Sequence, residues 1–146
     1  MEARHKILIV DDDADWLSLC RDLLSNLQSG PEILTATNAK RALDIMETEQ
    51  IRLLISDLKM PRIDGLQVLR WIRQQPGLKA LRVVVLTAST EMHDATLAYQ
   101  AGANSFLVKT IDFEEFVNIT NAIQGYWLWT SKSPEVVRPE RTKNRS

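Results

Sequence analysis

The apolar residues of this chain switch period again and again, from short continuous runs to helical spacing and back. That alternation leaves few folds open. Ile7-Leu8-Ile9-Val10 is a continuous apolar run ending in Asp11, the pattern of a strand buried on both faces. From Ala14 to Leu27 the spacing turns helical, with Trp16, Leu19, Leu23, Leu24 and Leu27 marking the apolar positions and Gly30-Pro31 as the stop. Ile33 to Thr35 is a short strand. Asn38 is suited to cap a helix that carries Ala42, Leu43 and Met46 on one face. Leu53-Leu54-Ile55 is a buried strand running into Ser56-Asp57, followed by a turn-rich loop through Met60-Pro61 to Asp64-Gly65. Leu66, Leu69 and Ile72 mark the next helix, closed by Pro76-Gly77. Val83 to Leu86 is a β-branched strand ending in Thr87. Glu91 to Ala101 is helical up to Gly102, Phe106 to Val108 is the last strand, ending in Lys109, and Asp112 opens a final helix reaching about Trp129.

Five strands interleaved with five helices predict a parallel sheet joined by right-handed crossovers, with helices on both faces. The expected fold is α/β, a flavodoxin-like three-layer α/β/α sandwich with strand order 2-1-3-4-5. The length of 146 residues suits one such domain, assigned to residues 1–130, with 131–146 as a tail. That tail has five basic residues against two acidic ones and two prolines, and reads as a solvated, flexible terminus. Contact with nucleic acid through it is the weaker reading.

Composition removes several function classes. No apolar run approaches the ~18 residues of a membrane span, and the first residues lack a secretory pattern, so a cytoplasmic protein without membrane contact is expected. The lone Cys20 excludes an internal disulfide and a cysteine-based zinc site. His5 and His93 offer little for a histidine metal site or a Ser-His triad.

In a sheet of this order the ligand site lies beyond the carboxyl ends of the strands, where the order reverses. The first strand runs into Asp11-Asp12-Asp13, the third into Asp57, the fourth into Thr87 and the fifth into Lys109. Taken singly, each has an ordinary explanation. Asp13 or Asp15 suits a helix N-terminus, Asp57 a turn, Thr87 a cap and Lys109 a solvated amine. Together they collect acids, a hydroxyl and an amine on one edge. Carboxylates so close require a proton or a cation. Oxygen donors without His or Cys suit Mg²⁺. A carboxylate beside Mg²⁺, with an amine and a hydroxyl near, has the parts of a phosphoryl-transfer site.

The residues that make this pattern also carry a resemblance. Ile7-Leu8-Ile9-Val10-Asp11-Asp12, Ser56-Asp57-Leu58-Lys59-Met60-Pro61 with Asp64-Gly65, Leu86-Thr87-Ala88 and Phe106-Leu107-Val108-Lys109 resemble the receiver domain of two-component response regulators, over about residues 6–126. The resemblance implies that Asp57 accepts a phosphoryl group from a phosphohistidine on a sensor histidine kinase. It implies that Asp12 ligates Mg²⁺ directly, that Asp11 acts through water and that the Lys59 carbonyl completes the set. Lys109 would pair with the phosphoryl group. Thr87 would be the switch hydroxyl and Phe106 the aromatic that moves inward with it.

One position departs from the family pattern: Thr110 stands where a proline follows the lysine, which leaves the Lys109–Thr110 peptide cis and costly, or trans. The resemblance also implies a single-domain signalling protein, not a turnover enzyme, that presents the face of its fourth helix, fifth strand and fifth helix. The aromatic run Tyr126-Trp127-Leu128-Trp129 either packs back onto the domain or forms a homodimer or partner contact. Lys109-Thr110 and Tyr126-Trp127-Leu128 are similar to regulators serving phytochrome-type kinases.

Two rivals come from other classes. A haloacid-dehalogenase-type phosphatase would use Asp11-Asp12-Asp13 as its Asp-x-Asp motif. Asp15 stands where that family has a small or threonine residue, and Asp57 would have no role. A flavin-binding module needs an amide-rich phosphate loop after the first strand, where three aspartates would repel the phosphate.

Overall fold

The computed structural model of the chain describes residues 6–25, 32–60 and 62–109, together with residues 114, 115, 118 and 121. Residues 1–111 form one compact unit and 112–146 a second; the four described residues of the second are helical. The rest of the expected final helix, the Tyr126–Trp129 cluster, the tail, Pro61 and Thr110 lie outside the described residues, as does the stop at Gly30-Pro31.

Strands β1 (Lys6–Val10), β2 (Glu32–Ala36), β3 (Leu53–Ser56), β4 (Arg82–Thr87) and β5 (Ser105–Val108) form one parallel sheet in the order β2-β1-β3-β4-β5. Four helices lie between them: α1 (Ala14–Ser25), α2 (Ala39–Thr48), α3 (Gly65–Gln74) and α4 (Met92–Ala101), with a 3₁₀ turn at Pro76–Leu78. The order is the expected one, so β1 and β3 are neighbours and the reversal falls between them. Their register pairs Val10 with Ser56, so β1 and β3 finish at one level, while β4, whose Val85 pairs with Ser56, runs two residues further to Thr87.

Apolar burial holds this sheet. Leu8, Val10, Leu54, Val83 and Val85 join Ala42, Ile45 and Met46 of α2 and Val68, Leu69 and Ile72 of α3 in one cluster. Ile7, Ile9, Leu53, Ile55 and Val84 alternate with them along the strands and are buried as well. Burial on both faces explains why β1 and β3 read as continuous apolar runs.

The inward stripe of α1 is shifted from the one the spacing suggests. Leu17, Cys20 and Leu24 are buried, whereas Leu19 is 47% exposed. The run Leu17-Ser18-Leu19-Cys20 allows two stripes, and the small buried Cys20 selects the other one. The Asn38 cap is as expected, its Oδ1 accepting from the Arg41 N–H at 2.8 Å, and Asp64, at the end of the turn-rich loop, forms a capping box with Gln67 on α3. Among the described residues no helix is long and apolar enough to cross a membrane.

One polar side chain knits three segments. Arg73, in the last turn of α3, donates from Nε and Nη2 to the Gly102 carbonyl at 3.0 and 2.7 Å. Its Nη1 donates to the carbonyls of Leu81 at 2.7 Å and Lys79 at 3.0 Å. Gly102 ends α4 at φ 112°, and a Cβ there would stand 2.8 Å from the Arg73 side chain. Arg73→Met strips these carbonyls of their donor. It should lower the unfolding free energy by about 2–3 kcal/mol, read as a lower midpoint in a urea titration with unchanged slope.

Candidate functional site

The site residues continue the strands that carry them. The Asp11 N–H donates to the Ala36 carbonyl at 3.1 Å, and the Asp57 N–H to the Val10 carbonyl at 2.9 Å. Both acids therefore leave the sheet with their main chains still in the hydrogen-bond ladder, and both are nearly buried, at 2% and 8% exposure. Asp13 is the helix cap: its Oδ1 accepts from the N–H groups of Asp15 at 3.0 Å and Trp16 at 3.2 Å. That leaves Asp11 and Asp12 for other work. Behind Asp57 the chain folds back tightly, with the Gly65 N–H donating to the Leu58 carbonyl at 2.8 Å. A Cβ on Gly65 would stand 2.3 Å from the Asp57 carbonyl oxygen, so no larger residue fits this approach.

Carboxylate oxygens of Asp11, Asp12 and Asp57 lie within 4.8 Å of one another. Lys109 Nζ is 2.5 Å from Asp11 Oδ2 and 3.6 Å from Asp57 Oδ2, and sits 5.0 Å from the centroid of a Trp16 ring. The Lys109 N–H donates to the Thr87 carbonyl at 2.7 Å, which carries the residue past the end of β5 toward the cluster. Burial raises the Asp11 carboxyl above its ordinary value, against the opposing hydrogen bond from Lys109. Burial lowers Lys109, but the bond and charge of Asp11, with Asp57, outweigh this and hold the ammonium above its ordinary range. Among the described residues one ammonium thus faces three carboxylates, an imbalance that a divalent cation would close. The donors are all oxygen, which fits a hard ion.

The other expected site residues are placed more variously. Thr87 is buried at the end of β4, and its Oγ1 accepts from the Ser89 N–H at 3.4 Å. The Lys59 N–H reaches Asp57 Oδ1 at 3.4 Å, but its ammonium turns away to Asp94 Oδ2 at 3.3 Å. Phe106 is half-buried on β5 against the main core, and its N–H donates to the Tyr99 hydroxyl at 3.0 Å. Cys20 is pushed up to about 12, chiefly by burial, and is inert as a nucleophile.

Two participants went unread in the sequence: Trp16, which looks like one more apolar position of α1, and Asp94, which looks like an ordinary first-turn acid of α4. The Ser89 hydroxyl and the Lys59 ammonium hold the Asp94 carboxyl below its usual range, against its burial. The only signal available was spacing, since Lys59 and Ser89 each follow a strand-end polar residue by two.

Lys109→Met leaves the Asp11 carboxylate buried without its partner. The variant should lose about 3 kcal/mol of stability by chemical denaturation. In the wild type, the contribution of Lys109 is complete below its ordinary value of 10.5 and is lost as pH rises through the higher folded value. Alkaline unfolding monitored by circular dichroism should therefore show a loss of stability above that range that Lys109→Met lacks.

The family model of the response regulator receiver domain matches residues 7–121. An uncharacterised 14.6 kDa protein of Leptolyngbya boryana is 36% identical over 126 residues, which span 86% of this chain and 92% of its own. The response regulator Rcp1 of Synechocystis is 27% identical over 135 residues, 88% of this chain and 92% of its own. Its Mn²⁺-bound crystal structure superposes with a TM-score of 0.76, over 89% of this chain and 99% of that one. The crystal structure of the phosphorylated cyanobacterial phytochrome response regulator RcpA gives a TM-score of 0.81 at 27% identity, over 90% of this chain and 99% of that one. The chain belongs to the family of response regulator receiver domains.

Proposed function

We propose that Asp57 accepts a phosphoryl group from a phosphohistidine of a sensor histidine kinase. The observation that carries this reading is the cluster of Asp11, Asp12 and Asp57 within 4.8 Å, with the Lys109 ammonium 3.6 Å from Asp57. Asp57 is the one acid of the three that stands at the end of the central strand β3, whereas Asp11 is tied up in the shorter contact with that ammonium. One of its carboxylate oxygens attacks phosphorus, an O–P bond forms and the N–P bond to the imidazole breaks. The electron pair of that bond stays on the imidazole nitrogen. Lys109 balances the charge on the oxygens of the transferred group, and the Thr87 hydroxyl turns to donate to one of them. The side chains of Asp11, Asp12 and Asp57 and the Lys59 carbonyl would hold Mg²⁺, which when bound supplies the positive charge that offsets nucleophile and phosphoryl together. The aspartyl phosphate so formed is a signal that decays, not a step in turnover.

The likeness to RcpA, a phytochrome response regulator, supports a phytochrome-type kinase as the donor. Met92 and Tyr99 on α4 and Val108 on β5 are exposed apolar side chains, at 80%, 51% and 39%. They support the α4–β5 face as the surface presented to a second copy after phosphorylation, with Phe106 beneath it as the aromatic that follows Thr87.

Incubation with Mg²⁺ and acetyl phosphate should add the mass of one phosphoryl group to the wild type and none to Asp57→Asn. The labelled sample should sediment as a dimer. Phosphate-ester turnover that persists in Asp57→Asn would contradict the acceptor role. Calorimetric titration with Mg²⁺ should show binding that weakens about ten- to a hundredfold in Asp12→Asn.

A further inference from the structure

Asp94 lies in the first turn of α4 and is only 7% exposed. A negative charge suits that end of a helix, but burying it requires partners. It has two, both on Oδ2: Ser89 Oγ donates at 2.5 Å, and Lys59 Nζ stands at 3.3 Å. These partners come from different loops. Lys59 follows Asp57 by two residues, and its N–H reaches the Asp57 carboxylate. Ser89 follows Thr87 by two, and its N–H reaches the Thr87 hydroxyl. Each therefore turns its main chain toward the acceptor site and its side chain toward Asp94.

Beyond these, the start of α4 is held by the Glu91 N–H, which donates to the same Ser89 Oγ at 3.3 Å. Its cap, Glu91, makes no side-chain hydrogen bond, and its buried residues are Asp94 and Ala98. A phosphoryl group on Asp57 would compete directly with this arrangement. The Lys59 side chain is 65% exposed on a flexible stem, so its ammonium is free to swing toward new negative charge. The Ser89 hydroxyl can rotate the same way.

We propose that Asp94 is a positioning residue that holds Lys59 and Ser89 off the acceptor face of Asp57 and moors the first turn of α4 until a phosphoryl group draws them away. The inference rests on Asp57 being the acceptor. Beryllium fluoride with Mg²⁺ is the probe, since it adds to a carboxylate as a phosphoryl mimic. Its affinity is measured for the wild type, Asp94→Asn, Lys59→Met and the double variant. Asp94→Asn removes the charge while keeping the volume and an acceptor for Ser89. It should bind the probe about two- to fivefold more tightly, what freeing a partly exposed ion pair is worth. Lys59→Met alone should bind less tightly, and in the double variant the gain should vanish. Equal affinity of Asp94→Asn and wild type overturns the proposal, as does a gain that survives alongside Lys59→Met. Unchanged affinity in Lys59→Met, whose exposed side chain is dispensable for folding, overturns it as well. Wild type that neither binds the probe nor takes a phosphoryl group from acetyl phosphate removes the acceptor reading, and the mooring role with it.

Discussion

Three carboxylates can gather within 4.8 Å at the end of a sheet only if positive charge stands among them. Here Lys109 provides part of it, from the far end of β5, 2.5 Å from Asp11. The contact joins the first strand to the last across the whole functional edge. It also explains why Asp11 and Asp57 can be buried: their carboxyl groups lie near an ammonium, not in an apolar wall. The remaining imbalance is one that a hard divalent cation would close, since every donor at this edge is oxygen.

The scaffold makes this concentration of charge tolerable. Main-chain ladder bonds run through Asp11 and Asp57 themselves, so the acids cannot move apart without breaking the ends of β1 and β3. Apolar packing on both faces of those strands fixes the level at which they stop. Repulsion among the carboxylates is thus resisted by the core.

Much of this was legible in the sequence. Continuous apolar runs ending in polar residues identified β1, β3 and β4, because strands buried on both faces leave no alternation to misread, and the shorter run Phe106-Leu107-Val108 identified β5, which is only partly buried. The same strand ends named Asp11, Asp12, Asp57, Thr87 and Lys109, because topology alone brings them to one edge. What escaped is what depends on side-chain reach. The stripe of α1 turned on whether Leu19 or Cys20 faces inward, which helical spacing does not decide in a leucine-rich segment. Arg73 carries an ordinary surface residue's signature, yet it bonds carbonyls up to twenty-nine positions away. Asp94 and Trp16 meet Lys59 and Lys109 only in three dimensions.

The two ends of α4 are secured by unlike means. Its carboxyl end is gripped through Gly102 by a guanidinium fork that also holds the approach to β4, a rigid arrangement with several donors. Its amino end rests on the Asp94 carboxylate, one hydroxyl and one exposed ammonium. A rod pinned firmly at one end and lightly at the other yields first at the light end, so the amino end of α4, beside the acidic edge, is where this helix gives way most cheaply.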